Sequence, residues 1–156
     1  MTAGRFARIA VAVDGSPTAQ EALEIAIELA KAHGSELLVI AVAPMPPVFV
    51  APNAPFVPPA MPVSTVPRYR ELVDAAVRRA QEAGVASVSG VSDEGTVVEA
   101  ILAQVNRQRS DLLVVGSRGL STAQRLLLGS VSTALVNHAP CPVLVVRPPT
   151  PPPERR

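Results

Sequence analysis

Short apolar runs alternate along the chain with longer segments of helical periodicity. The runs at 9–13, 36–42, 111–115 and 142–146 are apolar almost throughout and rich in β-branched residues, which predicts strands buried on both faces. A weaker alternating run at 85–91 predicts a further strand, and 18–33, 69–83, 96–107 and 130–138 predict helices. Strands that alternate with helices form an α/β fold with a parallel sheet and helices on both faces.

The sequence therefore predicts a single-domain, open, five-stranded parallel sheet of the Rossmann-like class, with strand order 3-2-1-4-5. In such sheets a ligand lies beyond the carboxyl ends of the strands, where the strand order reverses. With that order, Asp14 and Gly15 after the first strand and Gly116 and Ser117 after the fourth strand flank the reversal. We expect these two segments to meet at one crevice.

Composition limits the classes of partner. The chain has 156 residues, 48% hydrophobic and 17% charged, which fits one globular domain, here taken as 1–147. A net charge of +1 and 3% aromatic residues without tryptophan argue against nucleic acid and anionic membranes as partners. A single cysteine rules out a disulfide framework within the chain. With no recognisable export signal and no bilayer-length apolar stretch, the predicted location is cytoplasmic.

Proline is concentrated in the segment 44–67, which holds nine of the seventeen prolines. No residue from 37 to 67 is charged, so this segment is too apolar for a free linker and too rich in proline for a helix or central strand. We expect an insertion loop that lies against another surface. A lid, a dimer arm and a partner-docking segment remain alternatives, and the proline-rich tail at 148–156 is expected to be frayed.

A spaced set of glycines follows the fourth predicted strand. Gly116 and Gly119 are separated by two residues, and Gly129 and Ser130 follow after nine more. Glycines allow close backbone approach to phosphate oxygens, and a helix that begins at Ser130 directs free N–H groups towards an anion. Taken alone, each of these residues could instead simply form a turn or cap a helix without binding phosphate. The pattern is not a P-loop, because the only lysine is Lys31 and no Gly-Lys-Ser/Thr occurs.

Four segments together resemble the universal stress protein family: IAVAVDGS at 9–16, DLLVVGSRG at 111–119, LGSVS at 128–132 and CPVLVV at 141–146. The resemblance covers nearly the whole chain and implies an adenine nucleotide alpha hydrolase-like fold. The spacing Gly, two residues, Gly, nine residues, Gly-Ser/Thr is that of the ATP-binding members of the family.

The resemblance also implies roles for individual residues. Asp14 would lie near the ribose or phosphates and help to hold Mg²⁺, and Val42 would offer its backbone to the adenine. The residues so assigned to ATP are Ala12, Val13, Asp14, Val42, Val115, Gly116, Ser117, Arg118, Gly119, Gly129, Ser130, Val131 and Ser132. The hydroxyls of Ser130 and Ser132 and the charges of Arg118 and Arg125 would add to the phosphate site. A homodimer joined through the strand at 142–147 is implied as well.

Three functions fit these features: a nucleotide-occupancy sensor, a slow ATPase, or an interaction protein with a vestigial pocket. Hydrolysis needs a positioned water and stabilisation of charge on the γ-phosphoryl group. Asp14 is the one obvious carboxylate at the crevice, and no catalytic residue is predicted. His33 and His138 end helices and Cys141 lies between prolines, so each is expected to have a structural role. These features favour binding of ATP over its turnover.

Overall fold

The computed structural model describes residues 4–45, 52–53, 55, 65–118 and 128–148. These residues form the predicted alternation of strands and helices. In chain order the elements are β1 (Arg8–Ala12), α1 (Pro17–His33), β2 (Glu36–Pro44), α2 (Val66–Glu82), β3 (Ser87–Gly95), α3 (Val97–Gln108), β4 (Leu112–Gly116), α4 (Ser130–His138) and β5 (Val143–Val146).

All neighbouring strands are parallel, and their order is β3-β2-β1-β4-β5, as predicted. β1 is the central strand, with Val11 opposite Val39 of β2 and Val114 of β4. The direction of strand addition reverses between β1 and β4. The carboxyl ends of these two strands therefore frame the crevice that the sequence predicted.

Two apolar layers cover the sheet, because successive strand residues point to opposite faces. Ile9 and Val11 lie on the face covered by α1 and α2, whereas Ala10, Ile40 and Leu113 lie on the face covered by α3 and α4. These five residues are 0% exposed. Burial of this kind stabilises the fold by roughly 25 cal/mol for each Å² of apolar surface removed from water.

The ends of α1 follow from its capping residues. The Ser16 side chain accepts a hydrogen bond from the N–H of Ala19, and Pro17 occupies the first turn, where no N–H is needed. Gly34 ends the helix with φ of 64°, in the left-handed region that glycine adopts at little cost. The helix predicted at 18–33 is thus confirmed, with its ends set by these three residues.

Two boundaries differ from the sequence prediction by three residues or more. β3 continues past residue 91 to Gly95 because its pairing with β2 extends through Val42 opposite Asp93 to Pro44 opposite Gly95. As an edge strand, β3 tolerates the polar side chains that made its pattern weak. α2 begins at Val66, since a proline in the first turn, here Pro67, costs no helical hydrogen bond.

The ends of the predicted insertion loop thus lie in regular elements, at Pro44 and at 66–67. The rest of that loop lies outside the described residues, apart from Met45, residues 52–53 and 55, and Thr65. The tail beyond residue 148 also lies outside them. Across the described ranges, every helix is too short or too polar to cross a bilayer. The cytoplasmic location stays a prediction, as does the absence of a nucleic-acid partner.

Candidate functional site

The turn after β1 places a carboxylate at the crevice. Asp14 is half-buried, and its Oδ1 accepts a hydrogen bond of 2.8 Å from the N–H of Ser16. Gly15 between them has φ of 85°, which an L side chain rarely adopts. This short turn fixes the direction of the Asp14 carboxylate, so the residue has a structural contact in addition to its place at the crevice.

Two hydroxyls of the α1 N-terminus hold the end of β4. Thr18 Oγ1 donates to the carbonyl oxygen of Arg118 at 2.5 Å, and Ser16 Oγ lies 3.4 Å from the same oxygen. Both hydroxyl residues are buried. The segment that follows β4 is therefore fixed against the start of α1, directly beside the turn that carries Asp14.

Gly116 permits this close approach. A Cβ built at this position would lie 2.8 Å from the carbonyl carbon of Thr18 and 2.9 Å from the nitrogen of Ala19. Both atoms belong to the backbone and cannot rotate away. The packing of β4 on α1 thus explains why this position is glycine, whether or not a ligand is bound. The sequence interpretation had explained the glycine by the close approach of a phosphate to the backbone.

The start of α4 closes the loop that leaves β4. The N–H of Gly129 donates to the carbonyl of Ser117 at 2.7 Å. Ser132 Oγ lies 3.1 Å from that carbonyl oxygen and 3.1 Å from the carbonyl oxygen of Gly129. Ser132 is 4% exposed, so its hydroxyl joins the ends of the loop instead of pointing at a phosphate as the sequence interpretation had it.

The backbone of α4 supplies donors at this point. The N–H of Thr133 bonds to the carbonyl of Gly129 at 3.0 Å, and the three N–H groups before it, at 130–132, precede the helical ladder. None of these three donates to a described residue in a turn or cap. A helix N-terminus carries a partial positive charge, so these groups make this end of the crevice electropositive.

The opposite end of the crevice lies where β2 extends beyond the end of β1. The N–H of Val13 donates to the carbonyl of Ile40 at 2.8 Å, and this is the last bond between the two strands within the described residues. Along a strand, every second residue directs both its N–H and its C=O towards the same neighbouring strand. Ile40 faces β1, so Val42, two residues later, directs its N–H and C=O into the space beyond the end of β1. Val42 therefore presents one donor and one acceptor beside each other.

A cavity of about 380 Å³ joins these features. Pockets for small molecules usually span about 300–1,000 Å³. Eleven of the thirteen predicted residues line the cavity: Ala12, Val13, Asp14, Val42, Val115, Gly116, Arg118, Gly129, Ser130, Val131 and Ser132. Ser117 is buried beside it and contributes the carbonyl that closes the loop. Gly119 and Arg125 lie outside the described residues.

Seven further lining residues were not predicted as site residues: Ala19, Ile40, Pro44, Tyr69, Val97, Ile101 and Leu135. Most are apolar residues that the helical and strand patterns explain equally well as core. Val97 and Ile101 are four residues apart in the predicted helix, so the sequence places both on one face of α3. Tyr69 had no sequence signal beyond being the only tyrosine.

Cys141 and the two histidines are not among the residues that line this cavity. Burial raises the pKa of the Cys141 thiol, and the nearby Asp111 carboxylate raises it further. A raised pKa lowers the thiolate fraction at neutral pH, which argues against a nucleophile. His33 packs edge-on against Phe6 at a ring distance of 5.8 Å, and His138 is exposed at the end of α4.

Comparison with known proteins gives consistent results. A model of the universal stress protein family matches residues 5–147. A Thermus aquaticus protein, the universal stress protein in the QAH/OAS sulfhydrylase 3′ region, is 38% identical over 151 residues, spanning 91% of this chain and 99% of the relative.

Two solved structures are similar throughout. The universal stress protein UspA from Lactobacillus plantarum has a TM-score of 0.65 and 26% identity, with 92% of this chain and 99% of that chain covered. A universal stress protein in complex with cAMP has a TM-score of 0.66 and 25% identity, with 91% and 97% covered.

Replacement of Gly116 by alanine tests the packing role of this glycine. We expect Gly116→Ala to lower the free energy of unfolding of the ligand-free protein by about 1–3 kcal/mol, because the Cβ meets backbone that cannot yield without shifting α1. Gly4→Ala, whose Cβ would meet nothing closer than 3.5 Å, is the control. Urea unfolding measures both, and equal midpoints for Gly116→Ala and the unmodified protein would contradict the packing role.

Proposed function

The chain belongs to the universal stress protein family, and we propose that it binds ATP in the cavity at the carboxyl ends of β1, β2 and β4. One observation carries this proposal: a single cavity has helix N–H groups at one end and apolar walls with the Val42 backbone at the other, and none of these backbone groups is paired with a described residue. Phosphates match the first end, and adenine matches the second. The related structure in complex with cAMP supports an adenine nucleotide as the ligand class.

At the phosphate end, the ligand would accept hydrogen bonds from the N–H groups at 130–132 and from the exposed Ser130 hydroxyl. Arg118 is the cation among the described lining residues, and it lies where β4 ends. A helix N-terminus and one guanidinium form a weaker electrostatic site than a P-loop with its lysine. Binding therefore depends on backbone geometry, which Gly129 maintains beside Ser117.

At the base end, Val42 would donate its N–H to the adenine N1 and accept from the N6 amino group with its C=O. Val97 and Ile101 of α3 supply the apolar surface that a purine needs. The Val42 groups face away from β3, so this recognition requires no break in the sheet. The same backbone pair presents the wrong pattern to a 6-oxo purine.

Asp14 is the carboxylate among the described residues that line the cavity, so it is the candidate for Mg²⁺. Mg²⁺ in nucleotide sites is commonly held by one or two carboxylates together with phosphate oxygens and water. One oxygen of Asp14 is already bonded to the N–H of Ser16, which leaves the other for the metal. We infer that Mg²⁺ enters with the phosphates and that Asp14 contributes a single ligand.

The proposed role is that of an occupancy sensor without rapid turnover. Within the described residues, the cavity holds one carboxylate and no group placed beside it as a general base. Two hydrogen bonds connect the start of α4 to the edge strand β5. The Ser117 carbonyl accepts from the N–H of Gly129, and the Ser117 N–H donates to the carbonyl of Val146 at 2.8 Å. A ligand that orders the start of α4 would thereby act on the end of β5.

β5 is the proposed dimer edge. It pairs with β4 on one side, and Leu144 is 37% exposed on it, with Val136 of α4 46% exposed. An edge strand with apolar side chains favours pairing with a second strand. The resemblance to the family gave the same homodimer through 142–147, and we propose a two-fold arrangement.

Comparison of ATP with ITP tests the base end. ITP differs from ATP in carrying an O6 acceptor and an N1–H donor, so both Val42 contacts become mismatched. We expect affinity for ITP to be lower by about 100-fold, because buried polar groups are then left unpaired. Isothermal titration of the full chain with both nucleotides measures this ratio, and equal affinities would contradict the Val42 assignment.

Substitution of Gly129 tests the phosphate end. We expect Gly129→Asp to weaken ATP binding by at least about 100-fold, because a carboxylate would lie beside the phosphates. Gly129→Asn is the matched control: it has the same size without the charge, and the φ of −61° and ψ of 160° suit either side chain. We expect the asparagine variant to bind within about ten-fold of the unmodified protein.

Equal ATP affinities of the aspartate and asparagine variants would contradict the assignment of the phosphates to this end of the cavity. Thermal denaturation of both variants without nucleotide provides the check on folding. A Cβ at this position meets the Ser117 carbonyl oxygen at 3.3 Å in both variants, so the steric cost is shared, and the melting temperatures report any added repulsion between the aspartate and that oxygen.

Light scattering tests the dimer. We expect a mass of twice 16.2 kDa for the unmodified chain. Leu144→Arg should give the monomer, because two guanidinium groups would meet near the two-fold axis. Ala103→Arg, on the exposed face of α3, should leave the dimer intact. A monomeric unmodified protein at working concentration would overturn the assignment.

A further inference from the structure

Tyr69 lies in the first turn of α2 and lines the nucleotide cavity. The side chain is 9% exposed and belongs to the core cluster that includes Val13, Ala43 and Val73. A tyrosine in such a place usually keeps its ring in apolar surroundings and brings its hydroxyl to a polar partner. The position of that hydroxyl therefore matters.

The place of α2 assigns Tyr69 to the base end of the cavity. α2 packs on β2 and β3, next to the Val42 and Pro44 end, whereas the phosphate donors are on α4 across β1. Among the described residues, the cavity-lining residues of β2 and α3 are all apolar. Tyr69 is thus the polar side chain of that end of the cavity.

The first turn of α2 lies beside the turn that carries Asp14. A Cβ built at Gly15 would lie 3.6 Å from Leu72 Cδ2 and 3.8 Å from an Arg68 guanidinium nitrogen. Tyr69 itself is anchored by its burial in the core cluster. A side chain held in place before the ligand enters loses less entropy on binding.

The Tyr69 hydroxyl makes no hydrogen bond to any described residue. Tyr69 lines the cavity, so a ligand there meets this residue directly. Ser110 Oγ, near the start of β4, is a fully enclosed hydroxyl that also has no partner among the described residues.

We propose that Tyr69 is a specificity-determining residue of the nucleotide site, with its ring packed against the base and its hydroxyl hydrogen-bonded to it. This inference rests on the proposed function and adds a side-chain contact to the backbone pair of Val42. No described residue pairs with this oxygen, so for those contacts phenylalanine would fill the same space as well as tyrosine. Aromatic rings also give purines a stacking surface.

The sequence makes a direct test simple. Tyr69 is the only tyrosine and the chain has no tryptophan, so tyrosine emission of the full chain comes from this residue alone. We expect ATP to change that emission, with free N-acetyltyrosinamide as the control for absorption by the nucleotide. Isothermal titration measures the affinity independently of any fluorophore.

Tyr69→Phe separates the contact from a core role. We expect it to weaken ATP binding about ten-fold, the effect of one lost hydrogen bond, while the melting temperature of the ligand-free protein stays unchanged. Binding of inorganic tripolyphosphate, which has no base, should be unchanged. Ser110→Ala also deletes a hydroxyl without a partner, at the other end of the sheet, and should leave ATP affinity unaltered.

The outcomes separate the two proposals. ATP binding by titration with unchanged tyrosine emission, or with Tyr69→Phe binding ATP as tightly as the unmodified chain, overturns the role of Tyr69 and leaves the ATP site standing. An equal loss for ATP and tripolyphosphate overturns the base contact in the same way. Failure of the unmodified protein to bind ATP overturns both.

Discussion

Two successive carbonyl groups at the end of β4 hold the crevice together. The Ser117 carbonyl accepts from the Gly129 N–H and lies within reach of the Ser132 hydroxyl, and the Arg118 carbonyl accepts from the α1 hydroxyls. The starts of α1 and α4 are therefore bonded to adjacent peptide units. Packing of Leu135 holds the body of α4 on the sheet, and these bonds set the position of its N-terminus relative to the end of β4 and the start of α1.

This arrangement changes what the glycine pattern means. Gly116 allows α1 to approach β4, and Gly129 fits beside the Ser117 carbonyl, so both glycines have packing reasons that hold without a ligand. Among the described residues, the groups left without a partner and offered to a nucleotide are the N–H groups at 130–132 and the backbone of Val42. The glycines shape the site, and the neighbouring backbone offers the contacts.

Most of the fold could be predicted because buried parallel strands and capped helices have strong local patterns, as at Val11 and Ser16. The end of β3 could not, because edge strands accept polar residues such as Asp93. Part of the candidate site followed from the spaced motif at Gly116 and Gly129, and the residues of the first two strands, such as Val42, followed from the resemblance to the family. Tyr69 did not, because its place depends on how α2 packs, and the buried partners of the Ser132 hydroxyl are equally invisible in a sequence.

The most direct test of the account loads nucleotide-free protein with one equivalent of ATP and Mg²⁺, removes free ligand after prolonged incubation, and identifies the retained nucleotide by mass spectrometry. The account predicts intact ATP at close to one molecule per chain. Recovery of no nucleotide would contradict the site itself, and recovery of ADP alone would contradict a sensor that holds ATP without consuming it.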